Sequence, residues 1–209
     1  MKHFGIFTCF VTCLLISVLI CVTAQTNNIL YISQQAIAQP LTSSPILSSH
    51  NITTTTTTNS PFLTYQDNGT LGMMIKYPFN WKRIVVDDKA IIFLPPSKED
   101  KFSESLVVAL FDINNSISAS QLSGQAISKY GEHYSDFFII DLKPIIFKGN
   151  PAYTLLYTYT NPAVGKIMTM DIGIKGNNKA YVISYSAEEP EYHIYKPAIE
   201  KMINSFRMN

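Results

Sequence analysis

Apolar and polar side chains alternate along much of the chain from Tyr65 onward. In Lys166–Lys175 the even positions are Met168, Met170, Ile172 and Ile174, while the odd ones include Thr169, Asp171 and Gly173. In Ala152–Thr160 the odd positions Tyr153, Leu155, Tyr157 and Tyr159 stand against Thr154, Thr158 and Thr160. Lys179–Ala187 sets Tyr181, Ile183 and Tyr185 on one face. A period of two sends successive side chains to opposite faces, so these segments predict strands buried on one side. The pattern breaks at Gly149-Asn150-Pro151, at Asn161-Pro162 through Gly165, and at Gly176-Asn177-Asn178. Links this short join antiparallel neighbours, because a parallel crossover needs a dozen residues or more. Earlier strands are predicted at Leu71–Tyr77, Lys82–Asp87, Ala90–Leu94, Ser105–Asp112 and Phe137–Leu142.

Two segments switch to helical spacing. Ser118, with Gln121 three residues on, is a capping-box start. Behind it Leu122, Ala126, Ile127, Tyr130 and Tyr134 share one face, although Gly124 and Gly131 weaken the segment. Near the end Tyr192, Tyr195, Ile199, Met202, Ile203 and Phe206 recur at spacings of three and four. Pro197 fits only in a first turn, which places the start of that regular helix near it. Strands, helix, strands, helix, with both amphipathic helices on one antiparallel sheet, predict an α+β layered domain.

The first third of the chain lacks these patterns. Met-Lys-His is followed by an apolar run from Phe4 to Val22, and Val22-Thr23-Ala24 precedes Gln25. This is the form of a signal peptide over residues 1–24 with cleavage between Ala24 and Gln25. The competing reading is an uncleaved N-terminal anchor, since such a run just spans a bilayer. In either case Lys2 stays inside and the remainder is exported. Residues 25–62 are rich in Thr, Ser, Asn, Gln and Pro, with threonine at every position from Thr53 to Thr58. That composition cannot bury enough apolar surface to offset the entropy of ordering, so a disordered linker is expected before a domain at 63–209. Asn51-Ile52-Thr53, Asn68-Gly69-Thr70 and Asn114-Asn115-Ser116 are candidate N-glycosylation sequons.

Charge sharpens this division. Of the 16 basic and 15 acidic residues, Lys2 alone precedes Asp67, and the formal net charge is +1. No basic field exists to hold a polyanion, which argues against nucleic acid as a partner. The 3 cysteines, Cys9, Cys13 and Cys21, all sit in the head, so the folded part has no thiol chemistry and no zinc knuckle. Gly-x-Ser-x-Gly elbows and phosphate-cradling glycine loops are missing from the sequence.

Tyr65, followed by Gly72-Met73-Met74-Ile75-Lys76-Tyr77-Pro78-Phe79-Asn80-Trp81, resembles the opening of PsbP-like domains, where a strand ends in a Tyr-Pro-x-x-Trp turn. Gly149-Asn150-Pro151-Ala152-Tyr153 is similar to that family's Gly-x-x-Ala-Tyr hairpin, and Ala180 to Ala187 followed by Tyr195 through Phe206 is similar to its last strand and helix. The resemblance runs in order from Tyr65 to Arg207. It implies an α/β/α sandwich with a central antiparallel β-sheet, the fold shared by PsbP and the Ran-binding Mog-type proteins. PsbP itself is an extrinsic, non-catalytic subunit that stabilises the manganese–calcium cluster of photosystem II, and many relatives are assembly factors. A threonine stalk here replaces the segment with which plant PsbP contacts the photosystem. The resemblance therefore implies a docking module without implying the photosystem role.

Candidate chemistry is sparse. Glu188, Glu189 and Glu191 offer oxygen ligands for a hard cation such as calcium, yet carboxylates also suit a helix N-terminus facing water. Glu132, His133 and Asp136 contain one nitrogen donor, and His193 stands beside Glu191. Tyr153, Tyr157, Tyr159, Tyr181 and Tyr185 could line a groove, although tyrosine is also a strand residue that packs beneath helices. Trp81 reads as a core plug at a strand end. The expectation is an exported, non-catalytic module, without cofactor, that docks to a membrane or exported protein at the outer membrane face. A small-ligand or metal-ion binding domain is the alternative, and an enzyme comes third.

Overall fold

The structure is a computed structural model and describes residues 61–86, 88–96 and 102–209. The signal-peptide reading of residues 1–24, the cleavage point at Ala24 and Gln25, nearly all of the expected linker and the Asn51 sequon lie outside the described residues. Among the described residues, no helix is long and apolar enough to cross a membrane.

Among the described residues, ten strands and two helices follow in the order β1 (Phe62–Asp67), β2 (Met73–Pro78), β3 (Lys82–Val86), β4 (Ala90–Leu94), β5 (Ser105–Asp112), α1 (Ala119–His133), β6 (Ser135–Phe147), β7 (Asn150–Asn161), β8 (Gly165–Lys175), β9 (Lys179–Glu188), α2 (Tyr192–Ser205) and β10 (Arg207–Met208). A 3-10 turn, Glu189–Glu191, leads into α2. Seven strands form an antiparallel sheet in the order β3-β4-β5-β9-β8-β7-β6. A smaller sheet, β1-β2-β10, is also antiparallel. This is the α+β sandwich around a central antiparallel sheet that the sequence predicts.

The central strands of the large sheet are buried on both sides, while its outer strands β3 and β6 are half-buried or exposed along their length. On one face Ile91, Phe93, Leu106, Val108, Ile172, Ile183 and Tyr185 meet α2 and the small sheet, which contributes Met73, Ile75 and Tyr77. On the other, Tyr153, Leu155, Tyr157, Tyr159 and Ile167 meet α1 through Leu122, Ala126 and Tyr130. The odd positions of β8, expected to face water, are instead covered: Thr169 and Asp171 are buried. Their alternation is real, but the polar face lies beneath α1.

Both helices form where the apolar spacing places them. Ser118 caps α1, its hydroxyl accepting from the Gln121 N–H at 3.1 Å while Gln121 Oε1 accepts from the Ser118 N–H at 2.9 Å. In contrast to the expectation for Pro197, α2 begins at Tyr192 and contains the proline. Pro197 and His193 both lie on the exposed side, where water can satisfy the carbonyl that the missing N–H leaves without an intrahelical donor.

Three further differences concern strand limits. β1 has no place among the predicted strands; it pairs along its whole length with β2, from Phe62↔Pro78 to Asp67↔Met73. β6 extends to both sides of the predicted Phe137–Leu142. The turn assigned to Gly149-Asn150-Pro151 is instead a two-residue turn at Lys148 and Gly149, with φ of 49° and 85°. Positive φ at both central positions marks a type I′ hairpin, whose twist matches the strands it joins.

Candidate functional site

The most concentrated polar chemistry in the described residues lies between α1 and the centre of the large sheet. Asp171, on β8, is wholly buried. The Tyr130 hydroxyl, reaching down from α1, donates to its Oδ2. Ser184 Oγ, directly opposite on β9, donates to its Oδ1 at 2.5 Å. Tyr157, on β7, also hydrogen-bonds to it. Two residues along the same strand pair, the Thr169 and Ser186 hydroxyls bond each other at 2.9 Å. A carboxylate, tyrosine hydroxyls and three smaller hydroxyls thus make a polar layer enclosed by aromatic rings.

The local sequence explains how the layer fits. Tyr153 lies across Gly173, its cross-strand partner, so closely that a Cβ at 173 would stand 2.1 Å from Tyr153 Cε1. Glycine is therefore required there by close approach rather than by backbone conformation. Tyr130 stacks on Tyr157 at 4.8 Å and Tyr134 on Tyr159 at 4.2 Å. These rings remove water from around the carboxylate. Burial pushes the Asp171 carboxyl up from its ordinary 3.8 to about 6, opposed by hydrogen bonds from Ser184, Tyr130 and Tyr157. Burial, reinforced by the Asp171 charge, holds Tyr130 and Tyr157 well above the usual phenol range. The tyrosines are consequently neutral donors at physiological pH. Beside them on α1, the Lys129 Nζ is covered by protein without a hydrogen-bond partner, and burial lowers its pKa. The layer holds a charge beneath a helix and fixes that helix to the sheet. With Asp171 fully enclosed, the carboxylate is out of reach of a substrate.

The residues singled out in the sequence are dispersed. The five tyrosines divide between the two faces and share no groove. Tyr153, Tyr157 and Tyr159 lie under α1, while Tyr181 and Tyr185 point the other way. Tyr181 donates to the Leu71 carbonyl at 2.5 Å, and Tyr185 to the Tyr192 carbonyl at 2.8 Å. Among the described residues no group of three or more His, Cys, Asp and Glu side chains is placed to hold a metal ion. Glu189 pairs with Lys166 at 2.9 Å, leaving Glu188 and Glu191 outside that contact. His133 Nδ1 lies 2.9 Å from the Lys129 carbonyl. Asp136 accepts from Thr160 Oγ1 at 3.0 Å, and Glu132 from Ser128 Oγ at 3.4 Å. His193 packs edge-on against Tyr192. Asn68 and Asn114 are exposed, and the Asn114 side-chain oxygen accepts from the Ser116 N–H and hydroxyl, each at 3.0 Å.

Trp81 is buried and meets Tyr195 edge-on at 5.7 Å. Phe79, in the β2–β3 turn, lies two residues before Trp81, and Ile194, in the first turn of α2, directly precedes Tyr195. They are 65% and 54% exposed. A second apolar region lies on β6, described below. Sequence reasoning missed the Asp171 layer because its members are far apart, Tyr130 and Asp171 being 41 residues from each other. The one available signal was an acidic residue in the middle of a strand, between Met170 and Ile172.

Comparisons with known proteins agree with this architecture. The cyanobacterial PsbP protein CyanoP from Synechocystis superposes with a TM-score of 0.55 at 15% identity, over 79% of this chain and 98% of its own. LpqN of Mycobacterium tuberculosis, described as involved in cell envelope biogenesis, superposes with a TM-score of 0.53 at 13% identity, over 72% and 92%. The Saccharomyces cerevisiae Ran-binding protein Mog1p gives 0.51 at 12%, over 70% and 95%. At such identities the likeness is one of fold. A search of curated proteins finds no match. The family model described as PsbP-like protein matches residues 13–208, nearly the whole sequence, and this chain belongs to the PsbP-like protein family.

Proposed function

We propose that the protein is an exported, non-catalytic binding module that docks to another protein at the outer face of the membrane. The observation that carries this reading is the exposed pair Phe79 and Ile194 beside the Trp81–Tyr195 contact. Large apolar side chains exposed near a buried aromatic contact are the kind of surface that is covered when a partner binds. The strongest titratable constellation, by contrast, is enclosed and satisfied internally. The fold also occurs in a Ran-binding protein and in a protein of cell envelope biogenesis, which is consistent with use as a binding scaffold. The signal-peptide pattern of residues 1–24 supports export, and a polar linker would let a tethered domain search for its partner at high effective concentration.

The test is site-specific photo-crosslinking in the native host from position 79 or 194, with exposed Lys179 as control. One reproducible adduct from 79 and 194 is expected, absent from 179, and lost from position 194 after Phe79→Asp. No reproducible adduct would remove the support for docking. Calorimetry with calcium, manganese and zinc should show only weak, non-saturating heat. Micromolar binding lost on changing Glu188, Glu189 and Glu191 to Gln would promote the ion-binding reading instead.

A further inference from the structure

The large sheet ends at β6, whose outer edge has no neighbour among the described residues. The hairpin fixes which backbone groups that edge offers. In a two-residue type I′ turn the closing residues, here Phe147 and Asn150, exchange both ladder bonds. Counting back, Phe147, Ile145 and Lys143 direct their N–H and C=O toward β7, whereas Ile146, Pro144 and Leu142 direct theirs outward. Pro144, which has no N–H, thus lies where its absence costs β7 nothing. The side chains are not those of a guarded edge: Phe138 is 66% exposed, Ile140 45%, Leu142 42% and Ile146 70%.

About Leu142 the strand is symmetric in character rather than in sequence, with opposite charges next to the centre and apolar residues beyond them. Asp141 mirrors Lys143, Ile140 mirrors Pro144, Ile139 mirrors Ile145, Phe138 mirrors Ile146, and Phe137 mirrors Phe147. An antiparallel pair of identical strands related by a two-fold axis brings each residue opposite its mirror position. We infer that β6 pairs with β6 of a second copy of this chain about a two-fold axis through Leu142, joining two seven-stranded sheets into one.

Each part of the edge has a counterpart in that arrangement. Leu142, with outward N–H and C=O, forms the central doubly bonded pair with its own copy. Asp141 of each chain meets Lys143 of the other, on both sides of the axis. Within one chain these two side chains already contact each other at 2.7 Å, with Lys143 66% and Asp141 41% exposed, so each keeps surface on which a second partner can approach. A parallel in-register pair would oppose like charges at both positions, which the sequence disfavours. The register shift between Ile139 and Asp141 falls opposite Pro144 of the other copy, so the two irregular stretches face each other and the ladder is short. Beyond them the apolar ends of the two strands meet. Phe79 and Ile194 lie on other elements, the β2–β3 turn and α2, so the docking reading stands or falls separately.

The experiment is sedimentation of the full chain recovered after export, as wild type, Asp141→Lys, Lys143→Asp and the double swap. The wild type is expected as a dimer at about 100 μM, and each single variant, opposing like charges twice, weakens association by about tenfold. The double swap restores it. Mixing the two single variants restores it as well, because one then carries two cations at these positions and the other two carboxylates. Thermal melting monitored by circular dichroism at a few micromolar, below the concentration of association, should change by no more than the loss of one surface ion pair allows, so any loss of dimer is not a loss of fold. A monomeric wild type overturns the inference. So does a dimer indifferent to the single swaps, or one that the double swap fails to restore.

Discussion

Replacing Asp171 with Asn tests whether the enclosed carboxylate is raised as the structure requires. The Asn amide keeps the shape of the group and removes its ionisation. In the wild type the folded value is about 6 against an ordinary 3.8. Because the folded value lies above the unfolded one, the stability linked to this group is fully present below about 3.8 and is lost as pH rises through about 6. At ~1.36 kcal/mol per unit, the full swing is about 3 kcal/mol, of which roughly 1.3 kcal/mol is recovered on going from pH 7 to pH 5. Tyr130, Tyr157 and Tyr153 stay neutral over this interval and contribute no swing of their own. Urea denaturation of the wild type and Asp171→Asn at pH 7.5, 6, 5 and 4 measures the difference, and the pH-independent cost of the substitution cancels between pH values. The wild type should gain on the variant steadily as pH falls. A constant separation from pH 7.5 to pH 4 would show that Asp171 ionises as an ordinary carboxylate and would refute the account of the layer.

Gly173→Ala should cost about 1–3 kcal/mol by overpacking, because its Cβ would collide with the Tyr153 ring. In a double-mutant cycle with Tyr153→Ala most of that cost should disappear, and additive costs would argue against the contact. Lys148, whose Nζ donates to the Asn204 and Phe206 carbonyls at 2.6 Å each, links the β6–β7 turn to the end of α2. Lys148→Met should lower stability by about 1 kcal/mol, less at high salt, as chemical denaturation would show. Limited proteolysis of the full chain should remove residues before about 61 and leave a core reaching Arg207; protection of residues 41–60 would sink the linker reading.

The alternation in β7, β8 and β9 was legible because each strand has one continuous apolar face. What that pattern could not convey was the fate of the opposite face. Thr169, Asp171, Ser184 and Ser186 look like water-facing positions, yet each finds a hydroxyl or carboxylate partner across the strands, so the face can be buried without leaving polar groups unmet. Such partners lie on neighbouring strands or on α1 and leave no local trace. β1 was missed for a related reason: Phe-Leu-Thr-Tyr-Gln-Asp has little alternation, and its strand state comes from pairing with β2. Pro197 misled because the penalty for an interior proline depends on whether water can reach the carbonyl one turn back, which sequence does not state. The capping box at Ser118 and the core position of Trp81 were readable, since each is set by contacts close in sequence or by side-chain size.

The small sheet places a constraint on the order in which the chain can mature. β2 is flanked by β1 on one side and by β10 on the other, and Asn209 reaches back to the Asp67 carbonyl across 142 residues. At synthesis rates of about 5–20 residues per second, the partner arrives on the order of ten seconds after β2 has emerged. Until then Met73, Ile75 and Tyr77, all destined for the interior, must wait uncovered or be sheltered by other factors. A chaperone that recognises early apolar segments would find its longest window here. For the same reason, a fusion placed directly after Asn209 would burden the last step of assembly more than one placed ahead of Pro61.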